Sequence, residues 1–305
     1  MDGRPDKTLQ GILIISASVS ALAFGDAIAK QLSVNLTIWQ IFFARSLFAL
    51  PVLGIVFIVS GTPFRFYVAK WVMLRSVLLV LTWICYYASF PFLSLPVAAV
   101  AIYTFPVLVA LFSTFLINEP TTRRQWLGIM LGFVGVIVIL QPGSDGFSWF
   151  ALLPVSGAGF LALAMILTRT KCLHESPLIL SFSQLLGFLI AGLVGIVALT
   201  IWPLSPQMQS ASGFVFTGWG RMGGFEWALM AFLGLMAVGI FSGIARAYQI
   251  APPAIIAVFD YVYLISATLW GFVFFAERPG ALTLAGMALI FFAGVLVAVP
   301  KPRLR

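Results

Sequence analysis

The chain has 305 residues, 62% of them apolar and 9% charged, with a formal net charge of +8. A soluble domain is close to half apolar and about a quarter charged, so these residues cannot cover a soluble surface. The composition excludes a soluble enzyme, a disordered chain and a secreted disulfide scaffold, and it specifies a polytopic membrane protein.

A helix crosses the hydrocarbon core with ~20 mostly apolar residues. Ten such runs are expected, at roughly 9–30, 36–60, 71–92, 95–117, 125–141, 147–168, 177–201, 225–247, 252–275 and 280–300. The first opens like a signal peptide, with Arg4 and Lys7 before an apolar run and Ala21-Leu22-Ala23 late in it. The run from Leu9 to about Ala29 is too long for a signal-peptide core and reads as a retained helix. Helix-breaking chemistry separates later spans at Asn118-Glu119-Pro120, Gln141-Pro142-Gly143, Glu175-Ser176-Pro177, Pro252-Pro253 and Arg278-Pro279-Gly280. One longer connection, about 202–224, is rich in Ser, Gly and Gln, and no soluble domain is appended.

Cytoplasmic loops carry the excess of Lys and Arg. With the N-terminus inside, the inner segments hold Arg4, Lys7, Arg65, Lys70, Arg123, Arg124, Arg169, Lys171, Arg246, Lys301, Arg303 and Arg305. The outer segments hold Lys30, Arg221 and Arg278, while Arg45 and Arg75 lie within spans. Both termini are therefore expected in the cytoplasm. An even number of spans satisfies this pattern.

The chain also repeats internally. Laying residues 96–140 on 254–298 places Glu119 on Glu277, Tyr103 on Tyr261, Gly128 on Gly286 and Ala99-Val100 on Ala257-Val258. Ten spans thus divide into two halves, 1–145 and 146–305. Five is odd, so the halves lie in opposite orientations, an arrangement used by secondary transporters for alternating access.

These residues resemble the drug/metabolite transporter superfamily, in its ten-helix branch with two EamA repeats. The likeness rests on the Pro96-to-Glu119 span with Pro106 inside it, the Glu-Pro turn at 119–120 and the Gly-rich run from Gly128 to Val138. The second half repeats this as Pro253 through Glu277, then Gly286 to Val297. The Asp26, Lys30, Gln40, Phe43 and Arg45 pattern is similar to members that carry amino acids, amines or S-adenosylmethionine. The resemblance implies an all-α integral membrane fold around a central cavity, formed by spans one, three, four, six, eight and nine. It also implies a bacterial cytoplasmic membrane protein.

An ionisable group near the bilayer centre persists when it is paired, faces a cavity or reaches the interface. The expected substrate-binding residues are Asp26, Tyr86, Tyr103, Asp260, Tyr261 and Tyr263. The carboxylates suit an ammonium group or a proton, and the rings suit cation–π or stacking contacts. Tyr103 and Tyr261 correspond in the repeat and should project alike. Lys30 lies four residues after Asp26, on the same helix face, and can pair with it. Lys30, Arg45, Arg246, Glu119 and Glu277 are expected as gating or ion-pair groups, with Arg75 reaching the inner interface.

Other chemistry has little support. His174 sits in a loop beside Glu175, which leaves no Ser–His pair within the spans. Cys85 and Cys172 form no disulfide or metal framework. No catalytic residue, metal or cofactor is expected, and no phosphate loop is present to use ATP. The expected activity is alternating-access transport of small polar organic metabolites, most of all amino acids or amino-acid-derived amines and cations such as S-adenosylmethionine. The expected partners are that substrate and the lipid bilayer, with proton or exchange coupling, no nucleic acid, and a monomer or homodimer. The rivals are a vitamin or nucleotide-type carrier, a passive channel and an intramembrane enzyme.

Overall fold

The computed structural model describes residues 7–32, 36–89, 92–93, 98, 101–119, 121–140, 149–275 and 280–298. Regular structure among them is all helical. In chain order the helices are α1 (Thr8–Leu32), α2 (Ile38–Ser60), α3 (Ala69–Ala88), α4 (Phe105–Leu116), α5 (Arg123–Leu140) and α6 (Leu152–Thr170). They continue as α7 (Pro177–Ile201), α8 (Gly224–Ile250), α9 (Pro253–Phe259), α10 (Val262–Phe275) and α11 (Ala281–Ala298). Two short helical turns, Pro206–Ala211 and Gly213–Phe216, occupy the long connection.

Among the described residues, seven stretches are long and apolar enough to cross a membrane, with α9 and α10 counting as one stretch. The shorter apolar helices α4 and α11, and α5 with its leading Arg123-Arg124, stand where the fourth, tenth and fifth spans were expected. The third span ends earlier than the expected residue 92. Ser89 terminates α3, its hydroxyl donating to the Tyr86 carbonyl at 2.7 Å.

Among the described residues two spans are interrupted. The fourth breaks at Tyr103-Thr104, and Pro106 lies in the first turn of α4 after the break. A proline belongs there, because the first-turn N–H groups have no helical acceptor. The Thr104 hydroxyl donates to the Ala101 carbonyl at 2.7 Å. The ninth span breaks at Asp260-Tyr261, with no proline at the break. In the internal alignment Tyr103 corresponds to Tyr261, so the two breaks fall at equivalent places.

The helices pair as α1 with α8, α3 with α6, α2 with α7, α2 with α8, α3 with α7, α1 with α10, α4 with α6, α4 with α9 and α5 with α11. Exchanging each span for the one five places along maps these pairs onto one another, whereas α8 also packs on α7 and α6 without a counterpart of similar extent between α3 and α2 or α1. The pair α1/α8 becomes α6/α3, α2/α8 becomes α7/α3, and α1/α10 becomes α6/α4.

The polarity of the bundle is inverted relative to a soluble protein. Ile58 and Val59 are each 82% exposed, whereas Gln40, Ser46, Ser76, Thr168 and Gln184 are buried. Lipid is as apolar as leucine, so helices associate through close backbone approach and interior hydrogen bonds. α2 shows the first device on two sides. A Cβ added at Gly192 of α7 would stand 2.7 Å from both the Phe43 nitrogen and the Trp39 carbonyl oxygen. One added at Gly234 of α8 would stand 2.8 Å from the Arg45 carbonyl oxygen.

Candidate functional site

The start of α2 is fixed first. Thr37 and Gln40 cap each other reciprocally, each backbone nitrogen donating to the other's side chain. Gln40 also reaches the long connection, its Nε2 donating to the Gly220 carbonyl at 2.8 Å while its Oε1 accepts from Gly220 N at 2.9 Å. Trp39 Nε1 donates to the Val215 carbonyl at 2.8 Å. The connection is thereby tied to the first turn of α2, and the helix register is set five residues before Arg45.

Asp26 of α1 accepts a 2.8 Å hydrogen bond from the Tyr263 hydroxyl of α10 at its Oδ2. Two turns earlier on α1, Ser20 and Ser266 share a hydroxyl contact of 2.8 Å with the same partner helix. Arg45 of α2 and Asp26 line one small gap together with Gly25, Leu233, Met236 and Phe241. The Arg45 guanidinium carbon lies 5.6 Å from the Phe188 ring centroid and 5.5 Å from that of Phe241.

A second carboxylate stands at the break of the ninth span. Asp260 Oδ2 accepts from the Tyr248 hydroxyl of α8 at 2.5 Å. Tyr263, which holds Asp26, follows Asp260 by three residues. The first turn of α10 therefore lies between the two carboxylate contacts, one toward α8 and one toward α1. Tyr248 lies one residue beyond the expected eighth span and is not among the expected site residues.

The aromatic residues divide into two groups. Tyr103 packs against Tyr261 and Tyr263, with ring centroids 6.2 Å and 6.0 Å apart. Tyr86 packs with Tyr87 at 5.4 Å and with Trp83 at 6.1 Å, and Trp83 stacks on Tyr87 at 5.7 Å. Tyr261 is fully buried, and its hydroxyl has no hydrogen-bond partner among the described residues. It lies against Gly132 of α5, where an added Cβ would stand 2.5 Å from the Tyr261 ring. Tyr103, Tyr86 and Tyr263 are only half-buried.

At the end of the bundle where α4, α6 and α8 finish, Glu119 and Arg169 form an ion pair of 3.2 Å. Arg169 Nη1 also donates to the Gln249 carbonyl at 2.9 Å. Gln249 Nε2 donates to the carbonyls of Cys172 and Glu175, each at 2.8 Å. Glu175 Oε1 accepts from Val68 N at 2.6 Å. These contacts tie the ends of α4, α6 and α8 to the start of α3. Sequence reasoning singled out Glu119 but missed Arg169, Gln249 and Glu175 as its network.

Arg75 differs from expectation. It is 1% exposed, its Nε donates to Thr168 Oγ1 at 2.7 Å, and its Nη1 donates to the Leu180 carbonyl at 3.4 Å. Acceptors on α6 and α7 meet the guanidinium inside the bundle, so it has no need to reach the interface. Among the described residues no ion pair joins Arg246 to Asp260. The side chain of Lys30 and the whole of Glu277 lie outside the described residues. His174 is exposed, as a solvated loop residue should be, and both cysteines are free.

Residues 9–141 match the EamA-like transporter family. The chain carries an EamA-type transporter domain. EamA transporters belong to the drug/metabolite transporter superfamily, whose members are carriers and not enzymes. A pseudopaline exporter of Pseudomonas aeruginosa (strain UCBPP-PA14) is 25% identical over 297 residues, covering 97% of this chain and 98% of the exporter. A riboflavin transporter of Rhizobium johnstonii is 26% identical, covering 96% of this chain and 92% of its own. An S-adenosylmethionine uptake transporter of Rickettsia felis is 23% identical, covering 95% and 92%. A solved crystal structure superposes with a TM-score of 0.76 at 18% identity, covering 95% of this chain and 98% of that one. It shares the fold of this chain.

Proposed function

We propose that this EamA-type transporter works by alternating access on amino acids or amino-acid-derived amines and cations, S-adenosylmethionine among them. The observation that carries the reading is the Tyr263–Asp26 hydrogen bond facing Arg45 across a gap between α1, α2 and α8. Charged groups at membrane depth are costly and mark substrate or ion pathways. A carboxylate beside half-buried tyrosines suits an ammonium or sulfonium group, which an aromatic wall also attracts. The three relatives named above differ in cargo, and of these the S-adenosylmethionine transporter fits this chemistry most directly.

The halves 1–145 and 146–305 act as inverted repeats in this reading, supported by the internal alignment and by helix pairs that exchange with one another, such as α1/α8 with α6/α3. Asp260 with Tyr248 is the cation-coupling group, supported by its place at a helix break, where transporters bind ions and substrates. The Glu119–Arg169–Gln249 ties form the gate at their end of the bundle. That end is read as the cytoplasmic face of a bacterial inner membrane, supported by Arg65, Lys70, Arg123, Arg124 and Lys171 in its sequence segments.

The test is counterflow in liposomes containing the purified full chain, preloaded in separate batches with unlabelled amino acids, amines or S-adenosylmethionine. Transient accumulation of labelled solute with one preload class is the expected result. Uptake that ignores the preload identifies a channel, and exchange of riboflavin alone replaces the substrate class.

A further inference from the structure

Arg45 is the charged group of the site that lacks a polar partner. Its Nε is buried with no hydrogen-bond partner among the described residues. The two rings beside it, Phe188 and Phe241, attract a cation through their faces but offer no acceptor. Among the described residues the ion pair is Arg169–Glu119, so Arg45 and Asp26 share a gap without closing a salt bridge. Burying a charged donor unpaired is costly.

The backbone beneath Arg45 is also clamped. Gly192 of α7 meets α2 at Phe43 and Gly234 of α8 meets it at the Arg45 carbonyl, both without room for a methyl group. A guanidinium carried on a fixed backbone, flanked by rings and with its buried Nε left without an acceptor, is prepared for an anion that is not part of the chain. Guanidinium geometry favours a planar two-oxygen partner such as a carboxylate.

The geometry points to Arg45 as the anchor for a substrate carboxylate, with Asp26 receiving the ammonium of the same molecule. The cargo is then a zwitterion with an α-amino-acid head. This assignment rests on the proposed transport reading and narrows it. A simple amine would satisfy Asp26 but leave Arg45 unpaired and repelling. A purely anionic compound would satisfy Arg45 but meet the Asp26 charge. In this state the gap has room for about one water molecule, less than an α-amino-acid head occupies, so α1, α2 and α8 must part to admit it.

The test uses matched probes on the wild-type chain in liposomes. S-adenosylmethionine is compared with its decarboxylated form, and phenylalanine with phenethylamine and N-acetylphenylalanine. At least one zwitterion should exchange at least tenfold faster than its decarboxylated partner, and phenylalanine, if carried, faster than its N-acetyl form. Arg45→Gln should lower the zwitterion-to-amine ratio at least tenfold, and Arg45→Lys should restore part of it. The ratio within one preparation is independent of how much protein folds, and the wild-type comparison needs no variant. Equal or faster exchange of the amines by wild type overturns the assignment and leaves the transporter reading intact. An unchanged ratio in Arg45→Gln also overturns it. Exchange of none of these compounds removes the parent reading of substrate class, and this inference with it.

Discussion

Gly192→Ala tests the clamp on α2 through a single methyl group. The added carbon would stand 2.7 Å from two backbone atoms, Phe43 N and Trp39 O, and 3.0 Å from the Phe43 Cβ. Ordinary contact begins near 3.4 Å, so the shortfall is about 0.7 Å. Backbone atoms cannot rotate aside, so α2 and α7 must separate. Overpacking of this kind costs about 1–3 kcal/mol. The better helix propensity of alanine offsets up to about 1 kcal/mol, so with the full offset the net loss is about 0–2 kcal/mol, and the gap to a variant that gains only the propensity is about 1–3 kcal/mol. Gly239→Ala on α8 is the internal control, because its added carbon meets nothing within 4 Å. Equilibrium unfolding by SDS titration in mixed micelles should show Gly192→Ala less stable than wild type and Gly239→Ala equal or more stable. If the two variants unfold together, or Gly192→Ala is the more stable, the close-approach argument is wrong.

Tyr263→Phe removes the donor to Asp26 and leaves the ring. A hydrogen bond to a charged group contributes about 1.5–3 kcal/mol, so the half-saturating substrate concentration in counterflow should rise roughly tenfold or more. Asp260→Asn should reduce accumulation driven by an imposed proton gradient much more than it reduces exchange, measured in the same liposome preparation. Gln249→Ala should expose Cys172, whose carbonyl accepts from the Gln249 side chain. Burial pushes the Cys172 thiol up to about 11, and the thiolate is the reactive form. Maleimide labelling of a Cys85→Ser background should therefore be slow at neutral pH, rise as pH approaches that value, and be faster throughout in Gln249→Ala.

The sequence made some features plain and concealed others for physical reasons. Spans are legible because hydropathy is additive along the chain, and the Tyr103–Tyr261 correspondence is legible because the repeat copies it. Partners are not legible. Asp26 meets Tyr263 at a separation of 237 residues, and nothing in the sequence near Asp26 selects Tyr263 over Tyr261. Arg75 was expected at the interface because hydropathy records its charge and not the acceptors supplied by Thr168 and Leu180. Gln40 was placed with the residues of a substrate pattern, whereas the structure uses it to cap α2 and hold Gly220. The break at Asp260 was hidden because prolines mark the neighbouring loop at 252–253 and none marks the break.

An unbroken helix carries a push along its length as a rod would. A helix jointed in the middle lets its two halves pivot separately. The breaks at Tyr103-Thr104 and Asp260-Tyr261 correspond in the internal alignment, so in the proposed repeat reading the two halves share one hinge position. Their chemistry is not shared: the internal alignment places Ile102 opposite Asp260. With Asp260 as the cation-coupling group, only one hinge senses a bound cation. The machine would then be symmetric in shape and asymmetric in control, with one half of its cycle responding to pH and the other indifferent to it.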